Sequence, residues 1–535
     1  MKNNTATPLR LTTLTVAIAA SLFTVSATAD TVTDWNKYTV WATKAATSLT
    51  TGTASLAQNS NVATRIEAIE ARAVFDAVNV FDHFNPTSYY YNAAAPTGAT
   101  AKSAAAAAAQ AAHDVLLGAL PNPASGSWNP TRDWLNTQLA SDLAALGVTA
   151  ADPGIAVGQA AAAAALAARA EDFSAIRTTY TPSSNLSVST TNTVIPNATG
   201  NPGIGLWRPS NGAAGVNDPI TGAPTGFDAS GAIQAAAGID FNWKNVTPFS
   251  LTTVKKQLLV ATVPPALTIG SDEYNAELDF VKTHGQDSAN PGNRSHDQTL
   301  QALFYKSDAE LFVNEAARLA SASRNLTLDQ NAKLFAVLAN ALADARIAAF
   351  QSKYDLTFWR PITALNANPD GSVSTYTWKP LATTPSHPSN TGGHSATGAA
   401  GAEILRAFFK SDNIQKNGTP VTLTTLPWLI GTNNGTGQVD PLVFGGDATT
   451  RTVSSFSKLQ LENGRSRIYL GVHFGNDDYQ GQTLGLTVAD AIINTKTDPA
   501  AAGLSVFWGN ANTPNNKYLK AILTANSATS GFFGL

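Results

Sequence analysis

Apolar positions along the chain recur at helical spacing rather than in alternation. Between Val62 and Val80, the residues Ile66, Ile69, Val74, Phe75, Val78 and Val80 fall near a 3.6-residue period, which predicts an amphipathic helix. Residues 103–118 and 155–172 are alanine-rich, with high helix propensity and side chains small enough for close helix contact. Helical periodicity returns over about 272–282, 298–321 and 329–352. In the last of these, Leu334, Phe335, Leu338, Leu342, Ile347 and Phe350 make a broad apolar face. Further helices are predicted over about 394–410, opening just after Gly392-Gly393, and over about 449–470 and 481–494. Residues 174–232 and 411–448 are dense in Gly, Asn, Thr, Ser and Pro and are predicted to be irregular. No strand alternation, heptad or solenoid period is sustained. The pattern predicts an all-α fold of two packed helical bundles with long irregular loops.

The first 29 residues break this pattern. Lys2 and Arg10 form a positive start, Leu11 to Val25 is apolar, and Ala27-Thr28-Ala29 is a small-x-small cleavage site before Asp30. This predicts an export signal and a secreted or periplasmic protein. The apolar stretch is short for a membrane span, and no later stretch reads as one. Cleavage removes two cations and no acid, taking the formal charge from −3 to −5. The remainder divides into an N-terminal helical part (30–173), a loop-rich connection (174–250) and a C-terminal helical part (251–535), expected to form one fold.

Composition narrows the function. Charged residues make up 13% of the 535, against about 25% in an average soluble protein. The near-neutral balance gives no electrostatic footprint for nucleic acid. With no cysteine there is no disulfide, zinc–thiolate site, iron–sulfur cluster or cysteine nucleophile.

Against this charge-poor background, three blocks of the C-terminal part stand out. The first runs from Lys353 to Arg360-Pro361. The second is His387-Pro388-Ser389-Asn390-Thr391-Gly392-Gly393-His394-Ser395. The third runs from Arg465-Ser466-Arg467 through His473 to Asp477. Lys353, Arg360 and Arg467, if they converge, are three permanent cations suited to a compact oxyanion such as phosphate or vanadate. Gly392-Gly393 before a helix start offers backbone N–H groups and the favourable end of the helix dipole. Neutral imidazole can then serve as ligand, nucleophile or acid/base, and Asp477 lies four residues from His473, within reach to fix its tautomer. Singly, each block has a plainer explanation. Lys353 and Arg360 could close a helix, Gly392-Gly393 could be a turn, His473 a buried structural histidine, and Arg465 and Arg467 surface charges. Their occurrence together, in order, favours a site.

The blocks resemble the three-part signature of the vanadium-dependent haloperoxidase and type-2 phosphatidic acid phosphatase superfamily. That signature is Lys-x6-Arg-Pro, then Pro-Ser-Gly-His, then Ser-Arg-x5-His-x3-Asp. Blocks one and three match fully. Looser similarity to bacterial haloperoxidase-like members covers Ala71–Asn79, the alanine-rich helix after it, Gly205-Leu-Trp-Arg-Pro209 and Trp243–Phe249. Block two departs from the signature, with Gly392 in place of the serine whose hydroxyl hydrogen-bonds the oxyanion. Losing such a bond to a charged ligand costs about 1.5–3 kcal/mol unless a water or the hydroxyl of Thr391, Ser389 or Ser395 substitutes. The separation of His394 from Ser466 exceeds that of minimal phosphatases, implying an inserted excursion.

The resemblance implies a vanadate (orthovanadate) cofactor or a bound phosphate. Its equatorial oxygens would be held by Lys353, Arg360, Arg467 and the Gly393 N–H. His473 would be the ligand to vanadium, or the nucleophile toward phosphorus. His394 would be the acid/base, and Asp477 would orient His473. His387 occupies the position lining the halide pocket, where histidine resembles bromoperoxidases. The plainer alternative for His387 is a loop histidine beside Pro388.

Three functions are therefore in play. The first is an exported haloperoxidase that oxidises bromide or iodide with hydrogen peroxide and halogenates a small organic acceptor. The second is a periplasmic acid phosphatase that cleaves phosphate esters through a histidine nucleophile. The third is a non-catalytic oxyanion-binding member. The chain's one Met and absent Cys suit contact with a strong oxidant. The oligomeric state is open, a homo-oligomer included.

Overall fold

The computed structural model describes residues 30–44, 60–120, 128–175 and 238–507, except 288–289, 370, 372–376, 383 and 425–447. It also describes the short pieces 187–188, 194–195 and 204–207. The export signal and most of both irregular stretches lie outside the described residues.

Among the described residues there are fourteen α-helices. The N-terminal five are α1 (Thr31–Lys44), α2 (Ser60–Asp82), α3 (Ala101–Ala119), α4 (Asn129–Leu146) and α5 (Pro153–Ala168). After the connection come α6 (Thr253–Ala261), α7 (Asp272–His284), α8 (His296–Phe304), α9 (Ala309–Ala322) and α10 (Leu328–Leu356). The last four are α11 (Pro361–Asn366), α12 (Gly393–Phe409), α13 (Phe456–Tyr469) and α14 (Gly475–Thr495). The alanine runs become α3 and α5, which pack so closely that a Cβ on Gly158 would lie 2.6 Å from the Ala107 carbonyl. Pro153 opens α5, and its N-cap Asp152 accepts from the Gly154 N–H at 2.8 Å.

Three expectations change. The single helix expected over 298–321 is two, because the chain turns through Tyr305–Asp308 between the end of α8 at Phe304 and the start of α9 at Ala309. The helix expected from 449 begins only at Phe456. Thr450–Val453 instead pairs antiparallel with Val421–Thr424, a four-residue ladder too short to announce itself by alternation. Helices α1, α4, α6 and α11 were not expected from periodicity. A fourth difference concerns α10, which is long and apolar enough on composition to cross a membrane. However, 94% of its apolar window is buried inside the protein, so it is a core helix.

Helix α10 is the central post. It packs against α2 on one side and α12 on the other, and one buried cluster runs from Val32 to Ala501 around it. Helix α12 in turn packs on α14 along glycines: a Cβ on Gly481 would lie 2.4 Å from the Gly392 carbonyl, and one on Gly485 2.2 Å from the Ala396 carbonyl. This contact sets the start of α12 directly against the start of α14. Replacing Gly485 with Ala should therefore force the two helices apart. The expected result is a loss of about 1–3 kcal/mol of stability, read as a lowered denaturation midpoint.

Candidate active site

The three blocks meet at the ends of five helices. Lys353 sits in the last turn of α10, and Thr357, in the left-handed conformation (φ 48°), ends that helix by donating its N–H to the Lys353 carbonyl. The chain then runs extended through Phe358 and Trp359, bridged to residues 205–207 by Trp207 N–H to the Thr357 carbonyl and Trp359 N–H to the Gly205 carbonyl. Arg360 follows as the N-cap of α11. Arg467 comes from the last turn of α13, and His394 from the first turn of α12. His473 lies in the loop before α14, whose first turn carries Asp477.

Arg360 is fully buried and fans its donors across the site. Its Nε reaches the His387 carbonyl (2.9 Å), Nη1 the Val472 carbonyl (2.7 Å) and His473 Nε2 (3.0 Å), and Nη2 His387 Nδ1 (3.0 Å). Guanidinium only donates, so both imidazole nitrogens facing it must be bare. On its other edge, His473 donates Nδ1–H to Asp477 Oδ2 at 2.9 Å. The same carboxylate accepts the Ser389 hydroxyl (2.6 Å) and the Phe474 N–H (3.1 Å). His473 is thus locked in one tautomer, its Nε2 lone pair turned toward the cations. Blocks two and three are also tied through the backbone, Gly392 N–H donating to the Asp477 carbonyl at 2.9 Å.

Lys353 is fully buried and donates to the carbonyls of Pro388 (3.0 Å) and Ser389 (2.9 Å). Burial and the neighbouring Arg360, Arg346 and Arg467 hold its ammonium well below the ordinary lysine range. Arg360, for the same reason of burial, is pushed down to about 9.

Burial, reinforced by Arg360, Lys353 and Arg467, holds His473 well below the usual 6.5. His387 is lowered by burial, Lys353 and Arg360, and His394 by burial, Arg467 and Arg346. All three are neutral at neutral pH. His394 Nε2 donates to the Ser307 carbonyl at 3.1 Å, leaving Nδ1 as its basic nitrogen. The break between α8 and α9 is what exposes that carbonyl. His387 packs on Phe350, ring centroids 5.2 Å apart.

Two of the three hydroxyls that could substitute for the serine missing at position 392 are engaged elsewhere: Thr391 Oγ1 bonds Ser352 Oγ at 2.6 Å, and Ser389 serves Asp477. Ser395 Oγ is buried with no hydrogen-bond partner and lies 3.0 Å from the position a Cβ on Gly392 would take. Sequence reasoning also missed three participants: Ser389 as a partner of Asp477, Asp308 near His394, and Arg346. Seven residues before Lys353 on a helix, Arg346 lies two turns back on the same face, and that spacing was a usable signal.

The fold and site define a class: an all-α protein with a buried, cation-rich, histidine-centred oxyanion site built where helices converge. Residues 333–501 match the family model described as the VCPO second helical-bundle domain. The chain is 26% identical over 258 residues to vanadium chloroperoxidase of Curvularia inaequalis, covering 40% of this chain and 42% of that one, so the match spans under half the relative's length. In structure it is similar to a bacterial vanadium-dependent iodoperoxidase (TM-score 0.57, 18% identity, 87% of this chain and 94% of that one). It is also similar to a holo-type bacterial vanadium-dependent chloroperoxidase (TM-score 0.57, 14% identity, 87% and 98%). Residues 333–501 thus match one helical-bundle domain of the vanadium chloroperoxidases, and the chain has the helical-bundle fold of the vanadium-dependent haloperoxidases it is similar to.

The backbone at Gly392 yields a prediction. A Cβ there would lie 2.8 Å from the Asp477 carbonyl and 3.0 Å from Ser395 Oγ. Gly392→Ser, although it restores the superfamily residue, should cost about 1–3 kcal/mol of stability and weaken oxyanion binding, measured by thermal melting and orthovanadate titration.

Proposed function

We propose that the protein is an exported vanadium-dependent haloperoxidase that oxidises bromide or iodide with hydrogen peroxide. The observation that carries this reading is His473, pinned neutral between Asp477 on Nδ1 and Arg360 on Nε2, among buried cations. One imidazole lone pair facing several cationic donors suits a tetrahedral oxyanion. Among the described residues there is no group of three or more His, Asp or Glu arranged to hold a metal cation instead. Position 393 has no side chain, and the position a Cβ would take there lies 3.0 Å from Arg346 Nη1 and 3.8 Å from Lys353 Cε, which sets the helix start beside two cationic side chains.

In this reading, Arg360, Lys353, Arg467 and the Gly393 N–H hold the oxygens of orthovanadate, and His473 Nε2 is the vanadium ligand. Asp477 keeps the Nδ1 proton in place, so the lone pair stays on Nε2. Bound vanadate supplies Lewis-acid activation of peroxide without a change of oxidation state. His394, neutral in the free protein, takes a proton on Nδ1 from the incoming peroxide and later returns it. His387, bonded to Arg360 and packed on Phe350, would line the approach of bromide or iodide, and hypohalous acid would leave to halogenate an organic acceptor.

His394 can serve either chemistry, as a base toward peroxide or, once protonated, as an acid toward an ester's leaving group, so the assay separates the two. Purified protein loaded with orthovanadate should halogenate a phenolic or diketone acceptor with peroxide and bromide or iodide, and turn over no chromogenic phosphate ester. Ester turnover inhibited by vanadate, with no halogenation, would replace this function with the phosphatase.

The pH dependence follows from the same imidazoles. His394 and His473 must be unprotonated to act, and both sit well below 6.5 in the folded protein. Activity should therefore stay level from neutral pH down through 6 and fall only in more acid solution. Stability behaves differently. Between the unfolded value near 6.5 and the lowered folded values, the unfolded chain binds protons that the native state does not, so stability should decline as pH drops below about 6.5. Parallel activity and melting profiles from pH 8 to 5 check both signs.

A further inference from the structure

Arg346 is the least explained charged group in the interior. Its side chain is 5% exposed, and its Nε and Nη2 have no hydrogen-bond partner. Its nearest carboxylates, Asp308 Oδ1 and Glu310 Oε2, stand 3.7 Å from Nη2, beyond hydrogen-bonding range. Both carboxylates already have a closer cation: buried Lys44 at the end of α1 hydrogen-bonds Asp308 and pairs with Glu310 at 2.7 Å, and Ser60 also donates to Asp308. The acidic pair is therefore served from the N-terminal side, and Arg346 keeps unused donors. Leaving guanidinium N–H groups buried and unbonded is costly, so the arrangement calls for a further acceptor.

The direction in which Arg346 points identifies that acceptor. Arg346 and Lys353 are two turns apart on one face of α10, and their side chains end around one point. The position a Cβ would take on Gly393 lies 3.0 Å from Arg346 Nη1 and 3.8 Å from Lys353 Cε. That point is beside the N–H assigned above to the oxyanion, at the N-terminus of the 17-residue helix α12. Arg346 also acts electrostatically on Lys353, His387 and His394, three walls of the cage. Meanwhile Gly392 lacks the hydroxyl donor, and the nearby hydroxyls of Thr391 and Ser389 are directed elsewhere.

We propose that Arg346 is a fourth cationic ligand of the oxyanion, supplying from α10 the hydrogen bond that Gly392 cannot. This rests on the oxyanion site described above, not on the halogenation chemistry. A guanidinium donor is charge-assisted, so the exchange of a serine hydroxyl for Arg346 would strengthen the cage for a doubly charged anion. In this arrangement Asp308 and Glu310 aim the guanidinium, and Lys44 shares their charge so that they do not capture it.

The test is titration of purified wild-type, Arg346→Met and Arg346→Lys proteins with orthovanadate and, separately, inorganic phosphate, followed by calorimetry. Melting curves without anion establish that each variant is folded. Arg346→Met should bind both anions about 10- to 100-fold more weakly, and Arg346→Lys should recover part of the loss. Unchanged affinity in folded Arg346→Met, or a wild-type protein that binds neither anion, would overturn the assignment. Wild-type crystals soaked in orthovanadate give a readout that needs no variant. An Arg346 nitrogen hydrogen-bonded to a vanadate oxygen supports the proposal, and a guanidinium turned wholly to Asp308 and Glu310 refutes it. Arg346-dependent anion binding by a protein that halogenates nothing would sustain this assignment while ending the haloperoxidase function.

Discussion

Gathering like charges in a dry interior is the constraint on which the rest of this structure depends. Lys353, Arg360, Arg467 and Arg346 are all buried and act on common neighbours. The ordinary remedy, one carboxylate per cation, would fill the site with the wrong charge. The protein instead uses carbonyls. Lys353 is held by those of Pro388 and Ser389, Arg360 by those of His387 and Val472. Carbonyl oxygens satisfy donors without neutralising them, so positive potential survives for a ligand. Asp477, the carboxylate within the three blocks, is turned to the far side of His473 and occupied by Ser389, Phe474 and the imidazole.

The histidines follow from that field. Burial beside several cations disfavours a second proton on an imidazole, so His473, His387 and His394 are all held well below the ordinary imidazole value by their surroundings. Arg360 then determines which nitrogen is bare on two of them, and the Ser307 carbonyl does so on the third. Charge, tautomer and geometry are thus one arrangement. Moving Arg360 would disturb two histidines at once, which is why its position at the α11 N-cap, fixed by the extended Phe358–Trp359 segment, matters more than local helix stability.

Much of this was legible in the sequence because the signals were local. Helices α2, α3, α5, α7, α10, α12 and α14 carry their own periodicity or alanine content, and the blocks from Lys353 to Arg360 and from Ser466 to Asp477 keep their residues at fixed spacing. What escaped was set by tertiary context. The apolar period of 298–321 runs through the α8–α9 break, because Ser307 and Asp308 interrupt it without disturbing the hydrophobic count. Yet the break supplies the carbonyl under His394. Arg346 reads as an unremarkable cation inside a long apolar helix, and only the close approach of Gly393 gives it a role. Gly392 reads as a lost hydroxyl, whereas the structure shows a backbone pressed against Asp477 with no space for a side chain.

The N-terminal half is coupled to this site by the same electrostatics. Lys44 at the end of α1 and Ser60 at the start of α2 both engage Asp308, next to the Ser307 carbonyl that holds His394. Glu67 on α2 adds a buried carboxyl held well above its ordinary range by burial and by Glu310. Lys44 offsets part of the negative charge of the acidic cluster behind the cage. Without that balance, Asp308 and Glu310 would neutralise Arg346 and draw it away from Gly393. The low charge content of the chain thus takes on a structural meaning. With few charges elsewhere, the placement of each buried one decides whether the centre of the protein is positive enough to hold an oxyanion.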